Sequence, residues 1–302
     1  MFMRFLLVLF FCFTCIAARA QQKAMFTQYM FNGLAVNPAY SAIDEALSIT
    51  ALSRHQWVGF KGAPNTQSLT AHTPIKESNT SVGLMLMRDQ IGEVITESGV
   101  FATIAQRVQL SDETYLAAGI NVGISKYQAA YSEIGESVLD PAFMDQDDLR
   151  SNLGFGLMLF SEKFYAGFSS PFFYYRDIEN TVSSFNTTYR PHYMVQGGYL
   201  ADLGTDFKLK PNVLFKYVNG APLQIDLNAN LLIKETVWIG GSWRSFDSFD
   251  FIAEIQLSPQ IQLGYSYDFT TTELVKVQKG SHEVMLNFRV PIRGRSFPRC
   301  YF

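Results

Sequence analysis

The sequence predicts an all-β fold: a transmembrane antiparallel β-barrel of about fourteen strands (twelve to sixteen), preceded by an N-terminal pre-barrel or plug segment. Three observations lead there. The chain opens with an export signal, it alternates apolar and polar residues with period two along most of its length, and its connections sort by length into two classes.

The export signal is "MFMRFLLVLFFCFTCIAARAQQ". Arg4 supplies the positive n-region, Phe5 to Ala17 the apolar h-region, and Ala18-Arg19-Ala20 a small-residue cleavage pattern, so cleavage is expected after Ala20. The apolar run is shorter than the roughly 20 residues of a membrane-spanning helix. Cys12 and Cys15 leave with the signal and only Cys300 stays, which excludes a disulfide framework. Loss of Arg4 and Arg19 leaves 22 basic residues against 27 acidic ones, so no basic field is available for nucleic acid. The whole chain is 48% hydrophobic, yet no uncharged apolar run after Ala20 is long enough for a transmembrane helix. A β-barrel disperses the same apolar content by alternation.

The clearest strand is Leu223 to Ile233, "LQIDLNANLLI". Leu223, Ile225, Leu227, Ala229 and Leu231 form a greasy face, while Gln224, Asp226, Asn228 and Asn230 form a wet one. The odd face is expected against lipid, and an arginine at Asn228 is expected to be accommodated in a wet lumen. The same alternation marks 209–217, 249–257 and 261–269. Looser versions mark 47–58, 66–76, 80–89, 95–109, 114–126, 152–160, 163–170, 191–203, 236–246 and 282–290, for fourteen strands in all. Connections after even strands are tight, as at 76–79, 110–112, 161–162, 203–206, 234–236 and 258–259. Those after odd strands include the long 127–151, 171–190 and 270–281. Outer-membrane barrels sort loops in this way, with short periplasmic turns and long external loops. A secreted β-sandwich also alternates but has no reason to sort its loops. Aromatics gather near strand ends at Trp57 and Phe60, Tyr127 and Tyr131, Phe172 to Tyr175, and Tyr265 to Phe269, where interfacial girdles are expected.

The domains read as 1–20 signal peptide, 21–46 pre-barrel segment, 47–292 barrel and 293–302 tail. No catalytic, cofactor-binding or metal-binding residues are assigned. His55, His72, His192 and His282 form no HExxH or i, i+4 pair, and one cysteine makes no thiolate cluster. Ser281, His282 and Glu283 are consecutive, so in a strand they point to opposite faces and make no relay. The acidic stretch 132–150, with Asp140, Asp145, Asp147 and Asp148, lacks the ligand spacing of a calcium loop and reads as a solvated external loop.

"RHQWVGFKGAPNTQ" (Arg54 to Gln67) then reads as the first hairpin's connection, with glycines for positive φ and a proline to fix it. Arg54, Gln56, Gln67 and His72 are expected in the lumen, and Trp57 at the interface. "FTQYMFNGLAVNPAYSA" (Phe26 to Ala42) followed by "ALSRHQWVGFKGAPNTQSLTAHTPI" (Ala51 to Ile75) resembles the N-terminal signature of the PorP/SprF family of Bacteroidetes, outer-membrane proteins of type IX secretion and gliding motility. "GSHEVML" (280–286) is similar to the family's last strand. "SFPRCYF" (296–302) is similar to its tail, with Phe297 inserted and Cys300 among the aromatics. The residues carrying the resemblance are Gln28, Tyr29, Asn32, Asn37, Pro38, Tyr40, Gln56, Trp57, Gly59, Phe60, Pro64, Gln67 and His72, and these are the candidate partner-binding residues. The resemblance implies an outer-membrane barrel without enzymatic activity or cofactor. It implies periplasmic and lipoprotein partners in the secretion machine and, in some members, support for export of an adhesin. A plugged channel for small or hydrophobic solutes is the alternative, and a secreted enzyme on a β-sandwich the third class.

Overall fold

A computed structural model describes residues 23, 25–75, 78–134, 144–179, 190–292 and 301. The expected signal peptide, loop residues 135–143 and 180–189, and Cys300 lie outside the described residues. Fourteen antiparallel strands close into a barrel. They are β1 Ala46–His55, β2 Asn65–Pro74, β3 Thr80–Ile91, β4 Ile95–Gln109, β5 Tyr115–Ala129, β6 Gln146–Phe160 and β7 Phe164–Glu179. Next comes β8, His192–Tyr199 and Ala201–Asp202 interrupted at Leu200, followed by β9 Phe207–Val218 and β10 Gln224–Ile233. The last four are β11 Val237–Arg244, β12 Ser248–Gln256, β13 Ile261–Thr270 and β14 Ser281–Pro291. Each strand pairs with its sequence neighbours, and β1 pairs with β14 from Ala46↔Pro291 to His55↔His282, which removes the sheet edges. Closure satisfies backbone donors and acceptors that lipid cannot. Among the described residues no helix is long and apolar enough to cross a membrane.

Period two sets the two faces. In β10, Asp226, Asn228 and Asn230 are buried toward the lumen, while Leu227 and Ala229 are exposed on the outer wall. That outer wall carries Leu69, Leu84, Ile120, Leu157, Ile239, Phe251 and Leu286. The lumen is wet in chemistry but filled. Asn228 donates to the Tyr29 hydroxyl at 2.9 Å and accepts from Asn212 at 2.7 Å, so an arginine there meets packed side chains, against the accommodation expected from a wet lumen.

Connections after even strands are short, as at 161–163, 234–236 and 257–260, whereas those after odd strands include the longer 56–64, 130–145, 180–191 and 271–280 beside the short 92–94, 219–223 and 245–247. The long-loop rim is the external one by the barrel convention. The strands expected at 152–160 and 163–170 are longer than the sequence indicates. β6 begins at Gln146, so Asp147 and Asp148 belong to a strand and not to the acidic loop. Asp148 and Arg150 face the lumen, where Arg150 pairs with Asp177 at 3.1 Å and lies 3.8 Å from the Tyr127 ring centroid. A register shift between Leu153 and Phe155 stands opposite Pro171, which has no N–H for the ladder. Its carbonyl accepts from Asn121 at 3.3 Å and Asn152 at 3.0 Å. The shift changes which aromatics face out. Phe173 and Tyr174 are exposed on the wall, but Phe172 and Tyr175 turn inward, so the girdle expected from Phe172 to Tyr175 is half lumenal.

Leu227→Arg at mid-wall is expected to lower folding stability in lipid vesicles by about 2–4 kcal/mol, and Leu223→Arg beside the external turn by about 0–1 kcal/mol. Urea unfolding of both variants measures the difference; equal costs would contradict this register.

Candidate functional site: a lumen filled by the N-terminal segment

Residues 25–45 run through the barrel as three 3₁₀ turns, Tyr29–Phe31, Gly33–Ala35 and Pro38–Ala42. Asn32-Gly33 and Asn37-Pro38 interrupt any longer helix, and short 3₁₀ pieces suit such a connector. Asn37 caps the third turn, accepting from the Ala39 N–H at 2.9 Å, with Pro38 at the first helical position.

The segment descends from the external to the periplasmic end, tied to the wall throughout. Near the external end, Lys23 pairs with Glu97 at 2.7 Å and lies 4.2 Å from the Tyr175 ring centroid. Glu97 also accepts from the Tyr175 hydroxyl. Burial pulls the Lys23 ammonium below its ordinary value, and Glu97 opposes that pull. Across the lumen Arg54 of β1 bridges Asp268 (2.6 Å) and Glu283 (3.1 Å), and all three are almost wholly buried. Thr27 enters this cluster. Its hydroxyl accepts from Arg54 at 2.7 Å and donates to Asp268 at 2.9 Å, while its N–H donates to Glu283 at 2.9 Å. The Gln28 N–H donates to the other Glu283 oxygen at 2.8 Å. Arg244 pairs with Asp226 at 2.9 Å beside Phe26.

Lower down, Lys210 donates to the Met30 carbonyl at 3.2 Å and sits 4.1 Å from the Phe31 ring centroid. Thr70 donates to Asn32 at 2.8 Å, and Ser169 to the Val36 carbonyl at 2.8 Å. Asn37 donates to the Leu157 carbonyl at 3.1 Å. Glycines on the wall make room for it: a Cβ at Gly156 would lie 1.9 Å from Asn37 Oδ1, and one at Gly119 would lie 2.7 Å from the Ala39 nitrogen. Tyr40 stands edge-on to His72 with centroids 5.6 Å apart. At the periplasmic end Arg289 grips Asp44 with two bonds of 2.8 and 2.6 Å, and Arg107 pairs with Glu45. Tyr301 closes this mouth, donating to Glu235 and accepting from Lys208 at 2.9 Å each. The Tyr29 phenol is buried and serves as a hydrogen-bonding group for Asn228.

The structure therefore separates the candidate residues into two groups. Gln28, Tyr29, Asn32, Asn37, Pro38, Tyr40 and His72 meet in the lumen and are buried. Gln56, Trp57, Gly59, Phe60 and Pro64 form the external rim between β1 and β2. There the Gln56 N–H donates to the Pro64 carbonyl at 3.0 Å and the Trp57 N–H to Ser281 Oγ at 3.2 Å. The Val58 N–H donates to the Gly280 carbonyl at 2.8 Å. Gly59 has φ +91°, a conformation its missing side chain permits, and Phe60 is 43% exposed. Gln67 is a correction. Opposite neighbours alternate, so with Thr66 and Ser68 buried its side chain lies outside, donating to Asn65 at 2.8 Å. Sequence reasoning missed Arg244, Asp268, Glu283 and Arg289 as binders of the N-terminal segment. Their signal is a charged residue at a lumen-phase position of an alternating strand.

Among the described residues no group of His, Cys, Asp and Glu is placed to hold a metal ion. Arg54→Met strands Asp268 and Glu283 without their buried partner and is expected to destabilise by about 3–5 kcal/mol in urea titration. A cost below about 1 kcal/mol would mean that water already screens the cluster.

The chain matches the family described as type IX secretion system membrane protein PorP/SprF over residues 18–288. No curated protein matches it. Among solved structures, a TodX deltaS2S3 mutant, a monoaromatic hydrocarbon channel, aligns with TM-score 0.50 and 8% identity over 89% of this chain and 95% of that one. Omp33, an outer membrane protein of Acinetobacter baumannii, gives 0.45 and 11% over 82% and 99%. A Pseudomonas aeruginosa FadL homologue gives 0.44 and 10% over 86% and 92%. At these identities the TodX alignment speaks for the barrel fold alone, and the barrel together with the family match supports an outer-membrane location. The match spans most of the sequence, and the protein belongs to the PorP/SprF family of type IX secretion system membrane proteins.

Proposed function

We propose that this protein is a non-enzymatic outer-membrane component of the type IX secretion and gliding machinery, working by holding partners rather than by passing solutes. The observation that carries this reading is the occupied lumen. Residues 25–45 are tied to the wall from the Arg54 cluster to the Arg289–Asp44 pair, and a conducting pore needs that volume free. In this reading the signal peptide is removed after Ala20. Gln28, Tyr29, Asn32, Asn37, Pro38, Tyr40 and His72 serve by seating the plug. Trp57, Gly59, Phe60 and Pro64 shape an external rim offered to exported cargo such as an adhesin, and the short even-strand turns face periplasmic and lipoprotein partners. The family match supports a role without catalysis. At Ser281-His282-Glu283, Glu283 faces the lumen while His282 accompanies Tyr265 outside at 2.7 Å.

Purified full-length protein in planar bilayers is expected to show no steady conductance, and deletion of residues 25–42 to open one. Tagged protein drawn gently from its native membrane is expected to bring secretion-machine lipoproteins and exported cargo with it, and Phe60→Ser to bring the lipoproteins as before but less of the cargo. Steady conductance of the intact protein, with no partner recovered, would instead establish the solute channel.

A further inference from the structure

The outer wall is not uniform. On β8 to β14 the outward-facing strand residues described include no Lys, Arg, Asp or Glu, whereas β3 to β7 carry Arg88, Lys126, Asp147 and Arg176 on that face, all toward the external end. Register brings part of this set into one row. Gln67 of β2 stands opposite Arg88 of β3, Arg88 opposite Ser98 of β4, and Ser98 opposite Lys126 of β5. The next outward row toward mid-wall is apolar: Leu86, Val100 and Ile124, again directly opposite one another.

Between these rows lies a groove of about 320 Å³, lined on the outer face by Leu86, Ser98, Val100, Ile124, Lys126 and Leu149. The small Ser98 side chain, placed between two long cationic ones, leaves the opening. Lys126 pairs with Asp147 at 2.9 Å, both half exposed, whereas Arg88 is exposed and makes no ion pair among the described residues. A cation facing hydrocarbon is costly at mid-membrane and nearly free of cost at the interface. Arg88 and Lys126 stand where the apolar band ends, so their stems can lie along the wall with their heads among lipid headgroups. An unpaired guanidinium beside an ammonium, above an apolar groove and in a sector set apart by its charge, is complementary to one kind of molecule: a lipid with a phosphate at its head and an acyl chain below.

We propose that the β3–β6 sector binds an anionic outer-leaflet lipid, its phosphate held by Arg88 and Lys126 with Ser98 and Gln67 alongside, and one acyl chain in the groove over Leu86, Val100 and Ile124. Asp147 is displaced from Lys126 when the phosphate arrives. The site needs only the lipid-facing wall, so it stands or falls separately from the plugged lumen and from the secretion partners.

Native mass spectrometry of the detergent-purified full chain tests it, using diphosphorylated lipid A, the same lipid without phosphates, and inorganic phosphate as competitor. The intact protein is expected to retain the phosphorylated lipid. Arg88→Gln with Lys126→Gln should retain about tenfold less, and Ser98→Phe should lose it with both cations in place. Lys163→Gln, an exposed cation at the opposite rim, should bind as the unaltered chain does. Heat-modifiable gel migration confirms that each variant is folded. Equal retention of the phosphate-free lipid, or unchanged retention by the double variant, would overturn the phosphate contact. Displacement by inorganic phosphate alone, or full binding by Ser98→Phe, would overturn the groove.

Discussion

Arg54 stands where the barrel closes and where the plug is fastened. It lies on β1 directly opposite Glu283 on β14, the last strand, and its second carboxylate comes from Asp268 on β13. Three charges in so dry a place cost solvation that only good geometry offsets. Here the geometry is completed by Thr27 and Gln28 of the N-terminal segment, whose N–H groups occupy the remaining Glu283 lone pairs. The closing of the sheet and the filling of the lumen are therefore one event at this point. A barrel lacking its N-terminal segment keeps the ion pairs but leaves Glu283 short of donors.

The wall is built for the same division of labour. Outward residues are apolar because lipid offers no hydrogen bonds, and inward residues are amides, hydroxyls and charges because the segment they face is largely backbone. That segment has no helix or strand long enough to satisfy its own carbonyls, so Lys210, Ser169 and Arg244 reach across to do it. Apolar side chains of the segment gather where the wall offers apolar partners, as Phe31 does against Trp238 and Phe26 against Leu52 and Met285. A lumen arranged in this way suits holding a segment in place more than passing solute.

Much of this was legible in the sequence, because period two is a local signal and lipid on one side enforces it without exception over long stretches. β10 and β12 read directly as strands with correct faces. Legibility failed where local chemistry imitated a loop: Asp147, Asp148 and Arg150 look solvated, but in β6 they alternate between wall and lumen like any other strand residues. It failed again at Gln67, whose amide suggests a wet lumen though its phase points outward, and at Phe172 and Tyr175, whose phase is reset by the irregularity opposite Pro171. For the N-terminal motif the sequence showed that something dense and aperiodic precedes the barrel. Which wall residues receive it depends on pairs such as Thr27 with Asp268, separated by most of the chain, and no local pattern encodes those.

The central claim is that residues 25–45 reside inside the barrel as a seated plug. Hydrogen exchange on the protein in native outer-membrane vesicles measures this directly. Amides of Thr27, Gln28 and Ala39, each donating to a buried oxygen, should be protected to the same degree as those of β1 and β14. Exchange at the rate of an unstructured chain across this segment, beside a protected barrel, would contradict the account.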